Sequence, residues 1–174
     1  MHYRPSPLAV RIGLSFIFVR MKIFYLLVIF LLPVLQANSQ LNKSAFYAAL
    51  ASSNAAEIET QLNLVKEQST EENIAYEGTL LMKKAGFAGK PKEKLKLFKA
   101  GRSKLESSIS NNSENIEYRF LRLIIQEHAP KIVKYRNNLE EDSQLIRLHF
   151  KNLASPLQQA ITDYSKKSTI LKLN

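Results

Sequence analysis

There is no cysteine among the 174 residues, and no tryptophan. Without thiols the chain forms no disulfide and no cysteine-ligated zinc site. It also lacks a thiol nucleophile and the acylated cysteine that would make an exported bacterial protein a lipoprotein. Glycine and proline are scarce, at five and six. With abundant Leu, Lys, Ala, Ser and Glu, that scarcity of breakers favours helices over a sheet, and no convincing period-2 run argues otherwise. Catalytic signatures are missing as well. No Gly-rich phosphate loop precedes a helix, and no Ser stands in a Gly-flanked nucleophile turn. His128 follows Glu127, but the second His of an HExxH pattern is absent, and His149 lies beyond Pro130 on a different predicted helix. Glu71 and Glu72 are adjacent and face different directions on a helix, a poor acid and base pair. The expectation is a protein that is not an enzyme and holds no metal or cofactor.

What is present begins with a leader. Residues 1 to 20 read poorly as structure, whereas Met21 and Lys22 open a short positive start. The apolar run Ile23 to Leu32 follows, then a break at Pro33 and the small residues Ala37 and Ser39 two apart. This is the layout of a secretory signal peptide, predicting cleavage between Ser39 and Gln40 and a true start at Met21. A retained membrane anchor is the competing reading. A spanning helix needs about 20 consecutive apolar residues, and here Arg20 and Lys22 bound the run on one side and Pro33 on the other. The expected organisation is therefore an upstream extension plus signal peptide over 1–39 and one helical domain over 40–174, exported to the periplasm or beyond. Such a domain is large enough to bury roughly two thirds of its unfolded surface without a metal or disulfide.

The formal net charge is +10, with 25 basic and 15 acidic residues. Removing Arg4, Arg11, Arg20 and Lys22 with the leader leaves 21 basic residues against the same 15 acids, an excess of six. That is enough for weak attraction to anionic surfaces and too little to identify a partner.

The stretch Asn115 to His128 organises the rest. As a helix it places Ile116, Phe120, Leu121, Leu123, Ile124 and Ile125 around well over half of its circumference, so neighbours must cover it on several sides. Around it the spacing predicts further helices. Asn54 and Glu57, Ser69 and Glu72, and Asn138 and Glu141 have cap spacing. Gly86 stands where a left-handed cap is cheap, and Pro91 suits a first helical position. The helix Lys92 to Ile109 is expected to bury Leu95, Phe98, Leu105 and Ile109, with Arg102 in the same sector. Beyond Pro130 a short helix through Ile132, Val133 and Tyr135 is expected, then one with Leu145, Leu148 and Leu153 on its apolar face. A last helix starts at Ser155 and carries Leu157, Ile161 and Tyr164, and the tail from Ser168 has no predicted partner. The fold class is all-α, an antiparallel array or bundle of about six to seven helices.

From Gly101 to Arg122 the sequence resembles one turn of a tetratricopeptide-type helical repeat. Gly101, Leu105 and Ser108 sit where that family's second helix carries small, large and small residues, and Ser113 where it usually has the Pro before the next unit. The small residue expected early in the next helix is replaced by the bulky run Tyr118 to Leu123. The resemblance implies a helical scaffold presenting a concave surface to a protein partner, and no enzyme activity.

Arg119, Arg122 and Gln126 share one narrow stripe of the central helix. Two Arg forks beside an amide suit a carboxylate or phosphate, such as a peptide C-terminus, which makes these three the candidate partner-binding residues. The same forks can instead pair internally with Glu140, Glu141 and Asp142, the only three consecutive acids. The segment Lys83 to Lys104 holds nine Lys or Arg and one acid, Glu93, with Lys92, Lys96 and Lys99 along one face. That face is either solvated or in weak contact with an anionic membrane. Nucleic acid is disfavoured, because no aromatics interleave the cations and no reading motif is present. The sequence thus points to an exported, non-catalytic scaffold for a protein or peptide partner. The alternative is an envelope-associated protein held at the membrane surface by its basic helix or an uncleaved N-terminus.

Overall fold

The computed structural model of the chain describes residues 41–173, which form one compact unit from Leu41 onward. The expected leader, with Met21, Ser39 and Gln40, lies outside the described residues. Seven α-helices and no strand occur among the described residues, in keeping with the all-α expectation.

The central helix is α5, Ile116–His128, in which ten of the 13 residues are buried. It starts where Asn115 accepts a hydrogen bond from the Tyr118 backbone N–H at 3.2 Å, satisfying a donor that the first turn leaves free. Before it come α1 (Lys43–Ala51), α2 (Ala55–Lys66), α3 (Glu71–Ala85) and α4 (Pro91–Asn111); after it come α6 (Leu139–His149) and α7 (Ser155–Ser165). The packing of α3 against α4 is the most extensive in the molecule. Glycines make this possible: a Cβ on Gly78 would lie 2.7 Å from the Gly101 carbonyl oxygen and 2.8 Å from the Leu105 nitrogen. Both α3 and α4 then pack on α5, α6 lies along it, and α1 packs against α7. Phe46, Tyr76, Phe120, Leu121, Leu123, Ile146 and Ile161 fill the space between them.

Several local features depart from the sequence expectations, each for a visible reason. Thr70, not Ser69, caps α3 by accepting from Asn73 N–H at 3.1 Å, and Glu72 is drawn away to the Lys43 ammonium at 2.6 Å. Gly86 stays right-handed, with φ −61° and ψ −29°. The helix ends instead by tightening, as Gly86 and Phe87 N–H donate to the carbonyls of Lys83 and Lys84 at 3.0 and 2.9 Å. Leu95 is 46% exposed, because α4 begins beyond the body of the domain. Arg102 meets no carboxylate among the described residues; it reaches solvent, and its guanidinium lies over the Tyr135 ring, 4.7 Å from the centroid.

The expected helix after Pro130 shrinks to a single 3-10 turn, Lys131–Val133, closed by Lys134 in a left-handed conformation at φ 48°. Ile132 is left 87% exposed, while Tyr135 is buried with its ring edge-on to Phe98. On α6, Leu148 is 74% exposed and Ile146 is the buried apolar residue. Asp142 sets that orientation, since it must face the arginines of α5, and Ile146 follows it by one turn. The tail is also docked. Ser168 accepts from Leu171 N–H at 2.7 Å, and Leu171 is fully buried.

Candidate functional site

The arginine stripe of α5 faces inward. Arg122 straddles Asp142, with Nε and Nη2 each donating to a carboxylate oxygen at 2.7 Å, and its Nη1 reaches Glu106 at 3.2 Å. Arg119 donates from Nη1 to Glu141 at 2.8 Å and to Asp142 at 3.2 Å, and from Nε to the Ser113 carbonyl at 2.9 Å. Asp142 is fully buried. Burial works against the charge on Arg122, but the hydrogen bond and charge of Asp142, with Glu106, outweigh it and raise its pKa above the usual value. Gln126 is likewise occupied: its amide donates to Asn138 Oδ1 at 3.2 Å and its carbonyl oxygen accepts from Asn138 N–H at 3.1 Å. Of the two readings held for this stripe, the geometry is that of internal pairing. Glu141 and Asp142 are the partners, while Glu140 turns outward toward Gln144 and Arg147.

A second buried polar cluster was not expected. Glu117 of α5 accepts from the hydroxyls of Tyr47 on α1 and Tyr76 on α3, and from Lys43 Nζ at 2.8 Å. Burial first, then the neighbouring Glu117 charge, pushes both phenols well above their ordinary pKa. They remain neutral donors at any physiological pH, and through Glu117 the cluster ties three helices together. At the far end of α5, burial works to raise the pKa of Glu127. Hydrogen bonds from Ser168, Tyr164 and Thr169 outweigh it and hold the carboxyl down at about 2. Among the described residues no three His, Asp or Glu side chains converge as a metal ion would require.

Among the described residues, one open feature is a groove between α1, α5 and α7 with a volume of about 380 Å³, near the lower end of the range for ligand pockets. Its floor is Phe120 and Ile124, one turn apart on α5. Ser44, Tyr47, Ala48 and Ala51 of α1 form one wall, at the i, i+3, i+4, i+7 spacing of a single helix face. On α7, Pro156, Gln159, Ala160, Asp163 and Tyr164 form the other wall by the same rule. Tyr47 and Tyr164 flank Phe120 with ring centroids 6.1 and 5.7 Å from it. Small residues on both walls hold the groove open, and Ile124 is only partly covered in consequence. Three basic side chains sit at the margin: Lys83 of α3, His128 and Lys167. Asp163 is already engaged by Lys166 at 2.7 Å and by Gln159 at 2.8 Å. Lys83 is half-buried and has no carboxylate in ion-pair range among the described residues; burial alone lowers its pKa.

The sequence reading did not find this site, because its walls are more than a hundred residues apart in the chain. The available signal was the run of small residues on α1 beside an apolar face. Lys92, Lys96 and Lys99 are all exposed and form no ion pair among the described residues. No family model, curated protein or solved structure matches this chain.

Proposed function

We propose that this protein is an exported, non-catalytic helical scaffold that seats an apolar peptide segment of a protein partner in the groove between α1, α5 and α7. The observation that carries this reading is the groove itself. On the exposed side of α5, Ile124 and the Tyr164 ring stay partly open beside Lys83, a half-buried lysine that forms no ion pair among the described residues. Apolar side chains would cover the floor, and a carboxylate of the bound segment would neutralise Lys83, which binds more strongly where water is excluded. The resemblance of Gly101 to Arg122 to one turn of a tetratricopeptide-type repeat supports the same reading, a helical scaffold for a partner. Export to the periplasm rests on the leader Met21 to Ser39, and a mature N-terminus at Gln40 is the mass expected.

Selection from a displayed random peptide library tests the groove. The parent protein should enrich peptides with clustered apolar residues and an acidic or C-terminal carboxylate. Ala160→Trp, which fills the groove, should weaken them about tenfold or more, and Lys83→Gln should weaken them several-fold. Far-UV circular dichroism establishes that both variants are folded. Enriched peptides indifferent to both substitutions, or no enrichment at all, would refute the reading.

A further inference from the structure

The α3–α4 hairpin ends in a tip whose chemistry neither the core nor the groove uses. Residues 89–96 are exposed without exception, and Phe87 and Leu95 keep 41% and 46% of their surface in solvent. Lys94 precedes Gly101, Leu105 and Ser108 by seven, 11 and 14 residues and so lies in the helix sector they bury, yet it is exposed. The first turn and a half of α4 therefore projects past its neighbours. Leu95 stands only about 6 Å along the axis from Pro91, one turn from the loop that carries Phe87.

The cations at this tip do not help the helix that bears them. Lys90 occupies the N-cap position with no side-chain capping bond, and Lys92 and Lys94 sit in the first turn. There the helix dipole is positive and favours acids. Lys90, Lys92, Lys94, Lys96 and Lys99 form no ion pair among the described residues, in contrast to Lys84 and Lys104, which reach Glu59 and Glu77. Two apolar side chains are thus set among five free ammonium groups at one end of a hairpin held rigid by the Gly78–Gly101 crossing.

We propose that this tip docks on an anionic phospholipid bilayer, with Phe87 and Leu95 entering the headgroup boundary and Lys90, Lys92, Lys94, Lys96 and Lys99 meeting lipid phosphates. An amphipathic element with lysines around a small apolar patch binds in this way, through area buried plus charge. The surface is independent of groove occupancy: docking can hold whether or not a peptide is bound, and the reverse is equally true.

Vesicle flotation with the full-length protein tests it, since the N-terminal region is then common to every variant compared. On vesicles of phosphatidylcholine with phosphatidylglycerol, the parent protein should bind far more tightly than on phosphatidylcholine alone. Binding should also weaken steeply between about 0.05 and 0.5 M salt. K92Q/K96Q/K99Q should lose on the order of a hundredfold in affinity for the anionic vesicles, and F87S/L95S about tenfold at low salt. All five positions are exposed, and circular dichroism should find both variants folded. Equal binding to the two vesicle types, or F87S/L95S floating like the parent, overturns the proposal. Retention on heparin that exceeds vesicle binding and ignores F87S/L95S also overturns it, since the tip would then be a general polyanion surface.

Discussion

Replacing Asp142 by Ala tests whether the inward arginine network holds α6 to α5. The carboxylate is fully buried and accepts three hydrogen bonds from two guanidinium groups. Removing one member of a buried ion pair typically costs about 3–5 kcal/mol, because the charge left behind is uncompensated. Here Arg119 retains Glu141 and the Ser113 carbonyl, and Arg122 retains Glu106, so the lower end applies. A loss of about 3 kcal/mol would lower the melting temperature of a domain this size by about 10 °C, out of a total stability on the order of 5–15 kcal/mol. Urea unfolding of Asp142→Ala, Arg122→Ala and the double variant measures the coupling. Each single change removes the same bidentate contact, so the double variant should cost little more than either, giving a coupling of about 2 kcal/mol. A coupling near zero, with Asp142→Ala costing under about 1 kcal/mol, would refute the argument. It would also return Arg119 and Arg122 to consideration as a site for an external anion.

Other substitutions follow from the same geometry. At Gly101 an added methyl would meet the Gly78 carbonyl and the Met82 backbone nitrogen. Gly101→Ala should therefore destabilise by about 2 kcal/mol in spite of the gain in helix propensity. Gly89→Ala, with nothing within 4 Å of the new carbon, should be neutral or stabilising by up to about 1 kcal/mol; thermal melts separate the two. The Glu127 carboxyl, held at about 2 against an ordinary 4.5, stabilises the fold fully above pH 4.5, and that contribution is lost as pH falls through about 2. The melting-temperature gap between the parent and Glu127→Gln should accordingly narrow across that interval, and a gap that stays constant contradicts the assignment. Leu148→Ser should shift stability by less than about 0.5 kcal/mol, whereas Ile146→Ala should cost about 2–4 kcal/mol.

The parts of this fold that the sequence reveals are those that short-range physics decides. The apolar girth of Asn115 to His128 announces a helix covered by neighbours, and Pro91 marks a helix start within one residue. The last helix shows its buried stripe of Leu157 and Ile161 directly in its spacing. What stays hidden depends on partners far away in the chain. Periodicity on α6 offers Leu145 and Leu148 as the inner face, but the two guanidinium groups of α5 claim Asp142 and rotate Ile146 inward instead. Leu95 has the register of a buried residue and lacks only a neighbour to cover it. Tyr135 is drawn out of a would-be helix by Phe98 and Arg102, which no local pattern encodes. The groove is least legible of all, since Phe120 and Ile124 look like ordinary core until α1 and α7 bring small residues to either side.

The central helix is anchored by carboxylates at both ends, Glu117 to α1 and α3 and Glu127 to α7 and the tail, while its middle grips α6. None of α1, α3, α6, α7 and the tail can peel away from it without breaking one of these bonds. Its amide protons should therefore exchange with deuterium only when the entire domain opens, while those at the projecting start of α4 exchange by fraying. The rod at the centre thus serves as a built-in gauge: the slowest-exchanging protons of Phe120 to Leu123 report global stability directly, in the absence of any denaturant.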